Sequence, residues 1–145
     1  MDAALLTVGD ELLAGDTENT NATWLAGQLA ERGVTVKRIL VVPDDRATIA
    51  RHVREYSDSF DAVIATGGIG GTPDDVTLEA VADAFDRGMV VDDLALEDIE
   101  ETLTEVEASI PELDIDIEAE ASIPDGARPL INDEGLAPGS VLENV

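Results

Sequence analysis

Cysteine is absent, which excludes disulfides, thiolate metal sites and cysteine nucleophiles. Aromatic residues are nearly absent too, limited to Trp24, Tyr56, Phe60 and Phe85. The core must therefore be built from Val, Ile, Leu and Ala. No apolar run approaches the ~18 residues of a membrane span, and no signal peptide opens the chain. A cytoplasmic protein with no membrane partner is the expectation. Positive charge is the scarcest resource. Eight Lys and Arg stand against thirty-three Asp and Glu, Lys37 is the one lysine, and no base lies between Arg87 and Arg128. With no basic stripe to neutralise phosphates, nucleic acid is not an expected partner.

What the chain has in excess is acid, for a formal charge of −25. Such acidity can mean disorder, but apolar residues recur too regularly for that. A proteome adapted to high salt is the better expectation. Carboxylates keep a surface hydrated, and at about 1 M salt a Debye length of roughly 3 Å screens their repulsion. At 145 residues and 44% hydrophobic, the chain is expected to form one domain, residues 1–145. That length can bury roughly two-thirds of its unfolded surface.

Two short apolar runs, Ala3–Val8 and Asp61–Thr66, read as strands, the first without alternation as suits a strand covered on both faces, and Val36–Val42 is expected as a further strand ended by Pro43. Helices are expected between and after them: about Thr20 to Arg32 with Gly33 as its stop, one capped by Asp44 or Asp45, and one marked by Val76, Val81, Ala82 and Phe85. Met89–Asp92 reads as a short strand or an extended link. Leu96, Ile99, Leu103, Val106 and Ile110 mark an acidic amphipathic helix from about Leu94, and Leu113–Ala121 alternates as a half-exposed edge strand or arm would. Alternating β and α elements in the first 86 residues imply βαβ units and a mostly parallel sheet. The fold class is α/β, in three layers.

Two loops leaving the strand ends are richer in Gly and Asp than plain connections need: "GDELLAGDTENTN" after the first strand and "GGIGGTPDD" after the third. In open α/β sheets ligands bind at such ends. Glycines let successive N–H groups point at phosphate oxygens, and a helix starting near Asp74–Asp75 adds its positive pole. The paired carboxylates of Asp74 and Asp75 suit Mg²⁺, which bridges to phosphate. Thr72 and Pro73 stand where a P-loop needs Lys-Ser/Thr, and Pro73 breaks the dinucleotide glycine pattern. The plain alternative is a Gly-Gly turn with an aspartate capping a helix.

Other residues read more simply. His52, flanked by Arg51 and Arg54, is expected on a solvated helix face. Trp24 is expected to pack against the core, with stacking on a pterin or purine as the alternative. The acidic stretch Asp92–Glu120 lacks calcium-loop spacing.

The stretch "TGGIGGTPDDVTLEAV" (Thr66–Val81) resembles the TGG…D-x-T signature of the MoaB/Mog molybdopterin-binding fold, in a form closer to the competence/damage-inducible protein A (CinA) branch. "VGDELLAGDTENTNATWLAGQL" resembles that branch's GDELL…N opening, and "ARPLINDEGLAPGSVLE" its N-x-x-G-x-APG segment. The resemblance runs from Val8 to Glu143 and implies a mixed sheet between helical layers. It implies Asp75 and Asp10 as catalytic residues, with Asp75, Asp74, Asp10 and Glu79 at a metal. It places Thr66, Gly67, Gly68 and Gly70 in a phosphate cradle, with Asn21, Asn132 and Gly139 at further ligand positions.

The ligand implied is a nucleotide or pterin phosphate with Mg²⁺, molybdopterin included, and the protein a homo-oligomer, dimer or trimer. The implied chemistry is cleavage of a nucleotide pyrophosphate such as ADP-ribose. Adenylylation of molybdopterin and a non-catalytic binding or oligomerisation module stay open as alternatives. Family members usually continue past the APG segment, so a chain stopping at Val145 is expected to lack a C-terminal strand-turn-helix. No amidohydrolase domain of the kind fused to bacterial CinA proteins is expected either, and with it no nicotinamide-nucleotide deamidation.

Overall fold

The computed structural model describes residues 1–107 and 115–145. Three parallel strands, β1 (Asp2–Val8), β2 (Thr35–Val42) and β3 (Ala62–Thr66), form a sheet in the order β2-β1-β3. The central place of β1 explains its sequence. Residues Ala3 to Val8 are all buried, so neither face tolerates polar alternation. Helix α1 (Asp10–Leu13) is a single turn inside the segment read as a loop. Helix α2 (Thr20–Glu31) follows, and its N-cap Asn19 accepts from Ala22 N–H while donating to Thr7 Oγ1 at 3.2 Å.

Helices α3 (Arg46–Ser59) and α4 (Thr77–Ala84) cover one sheet face together. Ile49, Val53 and Tyr56 of α3 and Ala80, Val81 and Ala84 of α4 meet Ala4, Leu6, Val8, Val42 and Val63 of the strands in one buried cluster. Each fully buried Leu or Ile there contributes about 1.5–3 kcal/mol relative to exposure. Arg54 locks the two helices by donating to the carbonyls of Ala84 and Asp83, the charge favoured at the C-terminus of α4. Of the two candidate caps of α3, Asp45 is the one used, accepting from Thr48 N–H and Oγ1.

Two antiparallel pairs complete the described fold: β4 (Met89–Val91) with β5 (Ser122–Pro124), and β6 (Arg128–Leu130) with β7 (Gly139–Val141). Helix α5 (Asp93–Glu107) buries Ala95, Ile99 and Leu103 in a second cluster with Ala121. The periodicity assigned to this helix extends to Ile110, which lies outside the described residues.

Four expectations are corrected. The strand expected over Leu113–Ala121 is not one where it is described: Ile117–Glu120 form a helical turn, α6, capped by Asp116. Leu113 and Asp114 lie outside the described residues. Ile115 and Ile117 pack on the second cluster, so their alternation reflects packing and not a sheet. His52 is not on a solvated face; its side chain is 19% exposed beside the Tyr56 ring, and its Nδ1 has no hydrogen-bond partner. Trp24 is not in the core, being 65% exposed. The fourth concerns α4, which begins at Thr77 and whose N-cap Val76 makes no side-chain capping bond, so neither Asp74 nor Asp75 caps it. Among the described residues, no helix is long and apolar enough to cross a membrane.

Candidate functional site

The chain leaves β3 through Gly67 and Gly68, both at positive φ (89° and 64°). Space as well as conformation demands glycine here. A Cβ on Gly67 would stand 2.1 Å from the Val8 carbonyl, and one on Gly68 would stand 2.5 Å from Thr77 Oγ1. Thr77 is 1% exposed; its hydroxyl donates to the Gly67 carbonyl at 2.7 Å and its N–H to the Gly68 carbonyl at 3.0 Å. The first residue of α4 therefore clamps the turn by its carbonyls and makes no bond to its N–H groups. Those of Gly68, Ile69, Gly70 and Gly71 find no acceptor among the described residues. Thr77 was not singled out from the sequence, although the D-x-T spacing contains it.

Beyond the turn, Asp75 Oδ2 accepts from Thr72 N–H (3.1 Å) and Thr72 Oγ1 (2.7 Å) and so closes the loop. Its Oδ1 has no hydrogen-bond partner among the described residues. Asp74 is exposed beside it. Gly68, Gly70, Asp75 and Glu79 line a polar hollow of about 30 Å³ together with Glu120 of α6. The Glu120 carboxylate lies over Gly71 and would have to move to admit a side chain there.

Burial first, then the charges of Asp75 and Asp116, push the Glu120 carboxyl above its ordinary 4.5. The fold therefore favours a protonated Glu120. Its contribution is fully present below pH 4.5 and is lost as pH rises through the elevated folded value. Glu120→Gln is expected to unfold at higher urea than wild type at neutral pH in EDTA, with the difference vanishing below pH 4.5. A gap that persists in acid would mean that the carboxyl is not under this strain.

On the other side of the turn, Thr66 and Gly67 line a second hollow of about 150 Å³, which Asn21 also reaches, with Glu11, Thr17, Glu18 and Asn19. Asp10 lines neither hollow. It exchanges hydrogen bonds with Asp44, each backbone N–H donating to the other's carboxylate at 3.1 Å, and Asp44 Oδ1 lies 3.4 Å from where a Gly68 Cβ would stand. Asp44 and Glu120, both beside the turn, had no distinguishing mark in a chain this acidic. Asn132 and Gly139 fall elsewhere. Asn132 holds the β6–β7 connection through Ala137 and Glu134, and Gly139 lines an apolar hollow with Ala65, Ile69 and Val81. Among the described residues, no group of three or more His, Cys, Asp or Glu is disposed to hold a metal. The four acids Asp10, Asp74, Asp75 and Glu79 thus do not form one ready-made cluster.

Residues 4–144 match the family model described as "Probable molybdopterin binding domain" (MoCF_biosynth). The chain belongs to this family. A CinA-like protein of Gemmatimonas aurantiaca is 43% identical over 99% of this chain, which spans 33% of that protein. A protein of Archaeoglobus fulgidus is 39% identical over the whole chain, which spans 60% of its length. The chain thus covers a third to three-fifths of these relatives. Among solved structures, the CinA protein of Thermoplasma acidophilum, of unknown function, superposes with a TM-score of 0.82 at 34% identity, over 96% of this chain and 79% of that one. The molybdopterin biosynthesis enzyme MoaB of Thermus thermophilus gives 0.57 at 29% identity, over 68% and 62%. The MoCF_biosynth domain is thus of the CinA/MoaB type, with an α/β fold of the MoaB/Mog kind.

Proposed function

We propose that the MoCF_biosynth domain binds a nucleotide or pterin phosphate through a divalent cation at the glycine turn, and that it hydrolyses a nucleotide pyrophosphate such as ADP-ribose. One observation carries this reading. Four consecutive backbone N–H groups are free to bind an anion, yet no Lys, Arg or His lines either hollow beside them. Carboxylates stand there instead, so a phosphate can approach only with a cation that satisfies both. The residues present suit such an ion in their chemistry: the carboxylates of Asp75, Glu79 and Glu120 line a hollow of about 30 Å³, and one or two of them would hold it. Mg²⁺ at a phosphate site commonly takes one or two carboxylates and completes its shell with phosphate and water, so a cluster of three is not required.

A cation held there would neutralise the phosphate and polarise the phosphoryl group. The chain's own residues supply the rest. Gly68 to Gly71 present N–H groups to charge that grows on the phosphoryl oxygens. The oxygen of a water adds to one phosphorus, the bond from that phosphorus to the bridging oxygen breaks, and AMP and ribose 5-phosphate leave. The proton lost by the water passes to a nearby carboxylate, for which Asp75 is the candidate. Asp10 acts through Asp44 to hold the β1 and β2 loop ends against the turn.

The likeness to MoaB of Thermus thermophilus favours a second reading, adenylylation of molybdopterin. The test is turnover of ADP-ribose, beside ATP plus molybdopterin, in molar KCl with Mg²⁺ and again in EDTA. AMP released from ADP-ribose and abolished by EDTA is the expected result. Adenylylated pterin would transfer the domain to cofactor synthesis. Tight binding without turnover would leave a binding module, and turnover indifferent to EDTA would overturn the metal-bridged site.

A further inference from the structure

Trp24 is the only tryptophan of the chain, and it stands on α2 with 65% of its surface in water. An indole gains most where its face is covered and its surroundings are polar enough to orient what covers it. Trp24 lines an open hollow of about 550 Å³ whose other walls are Glu18, Asn19, Thr20 and Thr23. Three of these, Glu18, Asn19 and Thr20, also line the 150 Å³ hollow that ends on Thr66 and Gly67. The hollow at the indole and the hollow at the glycine turn therefore have these three residues in common. Asn19 among them is held in place, because it donates to Thr7 Oγ1 and accepts from Ala22 N–H. Glu18 is exposed, and no group among the described residues donates to its carboxylate.

We infer that the hollow at Trp24 is a subsite for the planar heteroaromatic ring of the same ligand whose phosphate meets the glycine turn. The inference rests on the phosphate reading above and adds what else the ligand carries. The ring, a purine or a pterin, stacks on the indole face, and the Glu18 carboxylate accepts from an amino or imino N–H on its edge. The lining suits such an occupant better than a protein partner. A single aromatic face ringed by Glu, Asn and two Thr offers stacking and polar recognition, with no second apolar side chain for a docking segment to cover.

The chain reports on its own subsite, since Trp24 is its sole indole fluorophore. The experiment titrates the whole chain, in molar KCl with Mg²⁺, with AMP, a phosphorylated pterin and ribose 5-phosphate, reading affinity by calorimetry and the subsite by indole fluorescence, and repeats the calorimetry on Trp24→Ala and Trp24→Phe. The first two ligands are expected to quench the fluorescence saturably, and the tighter of them identifies the ring. Ribose 5-phosphate, which carries the phosphate without a ring, is expected to bind more weakly and leave the indole unchanged. Trp24→Ala should weaken the ring-bearing ligand roughly five- to a hundredfold, the worth of one base–aromatic stack. It should leave ribose 5-phosphate as it was, and Trp24→Phe should recover most of the loss. Equal affinities for AMP, pterin and ribose 5-phosphate, unaltered in Trp24→Ala, would overturn the subsite and leave the phosphate reading standing. If none of the three binds, both fall. A fluorescence shift on concentration alone, with a dimer in sedimentation that Trp24→Ala abolishes, would give the indole to a second copy of the chain and overturn the proposal.

Discussion

Gly67→Ala is expected to lose about 2–6 kcal/mol of folding stability, a strain of roughly 1–3 from holding a Cβ at positive φ and a similar penalty for overpacking. The backbone at Gly67 has φ 89°, and the added carbon would meet the Val8 carbonyl at 2.1 Å. Val8 cannot yield. It is 2% exposed at the end of the central strand, and the next residue, Gly9, donates to the Val42 carbonyl at 3.0 Å. Since domains of this size have only about 5–15 kcal/mol to lose, the variant should unfold at far lower urea in molar KCl, or not fold in dilute buffer. Gly27→Ala supplies the control. That glycine is exposed within α2, nothing stands within 4 Å of its added Cβ, and alanine there should gain about 0.5–1 kcal/mol. Equal unfolding midpoints for Gly67→Ala and wild type would mean that the turn does not rest on β1.

The parts of the fold that were legible in the sequence are those whose signals are local. Continuous apolar runs announced β1 and β3, Pro43 marked the end of β2, and a doubled glycine announced the turn after β3. What was not legible depends on residues far apart or on segments too short to show a period. Helices α1 and α6 have four residues each, about one turn, so no 3.6-residue pattern can develop. Ile115 and Ile117 alternate as strand residues do, yet they serve one apolar cluster against α5. The Asp10–Asp44 exchange joins residues 34 positions apart. With thirty-three acids available, nothing marked Asp44 or Glu120 as the ones that meet the glycine turn. Trp24 shows the limit of composition as a guide. A lone tryptophan belongs in the core on average, but β1 is covered by small and aliphatic side chains, and the indole stays outside.

Asp75 separates structure from chemistry within one side chain, and that makes its amide variant the most telling single change at the site. Oδ2 holds the loop through Thr72, Oδ1 has no hydrogen-bond partner among the described residues, and the side chain lines the small hollow that Glu79 and Glu120 also line. Asparagine keeps one carbonyl oxygen, enough to accept from Thr72, and puts an NH₂ group in place of the other oxygen. Asp75→Asn is therefore expected to unfold within about 0.5 kcal/mol of wild type, as surface changes that preserve contacts do. Its Mg²⁺-dependent affinity for AMP should fall about a hundredfold or more, since losing even a group that only orients a metal ligand costs ten- to a hundredfold. Asp75→Ala removes both roles and should add a stability loss of about 0.5–1.5 kcal/mol from the freed Thr72. Calorimetric titration of AMP with and without Mg²⁺, beside urea unfolding of all three proteins, reads the two effects apart. If Asp75→Asn bound AMP with Mg²⁺ as tightly as wild type, Asp75 would be a loop clamp alone. The cation would then have to be sought at Glu79 and Glu120.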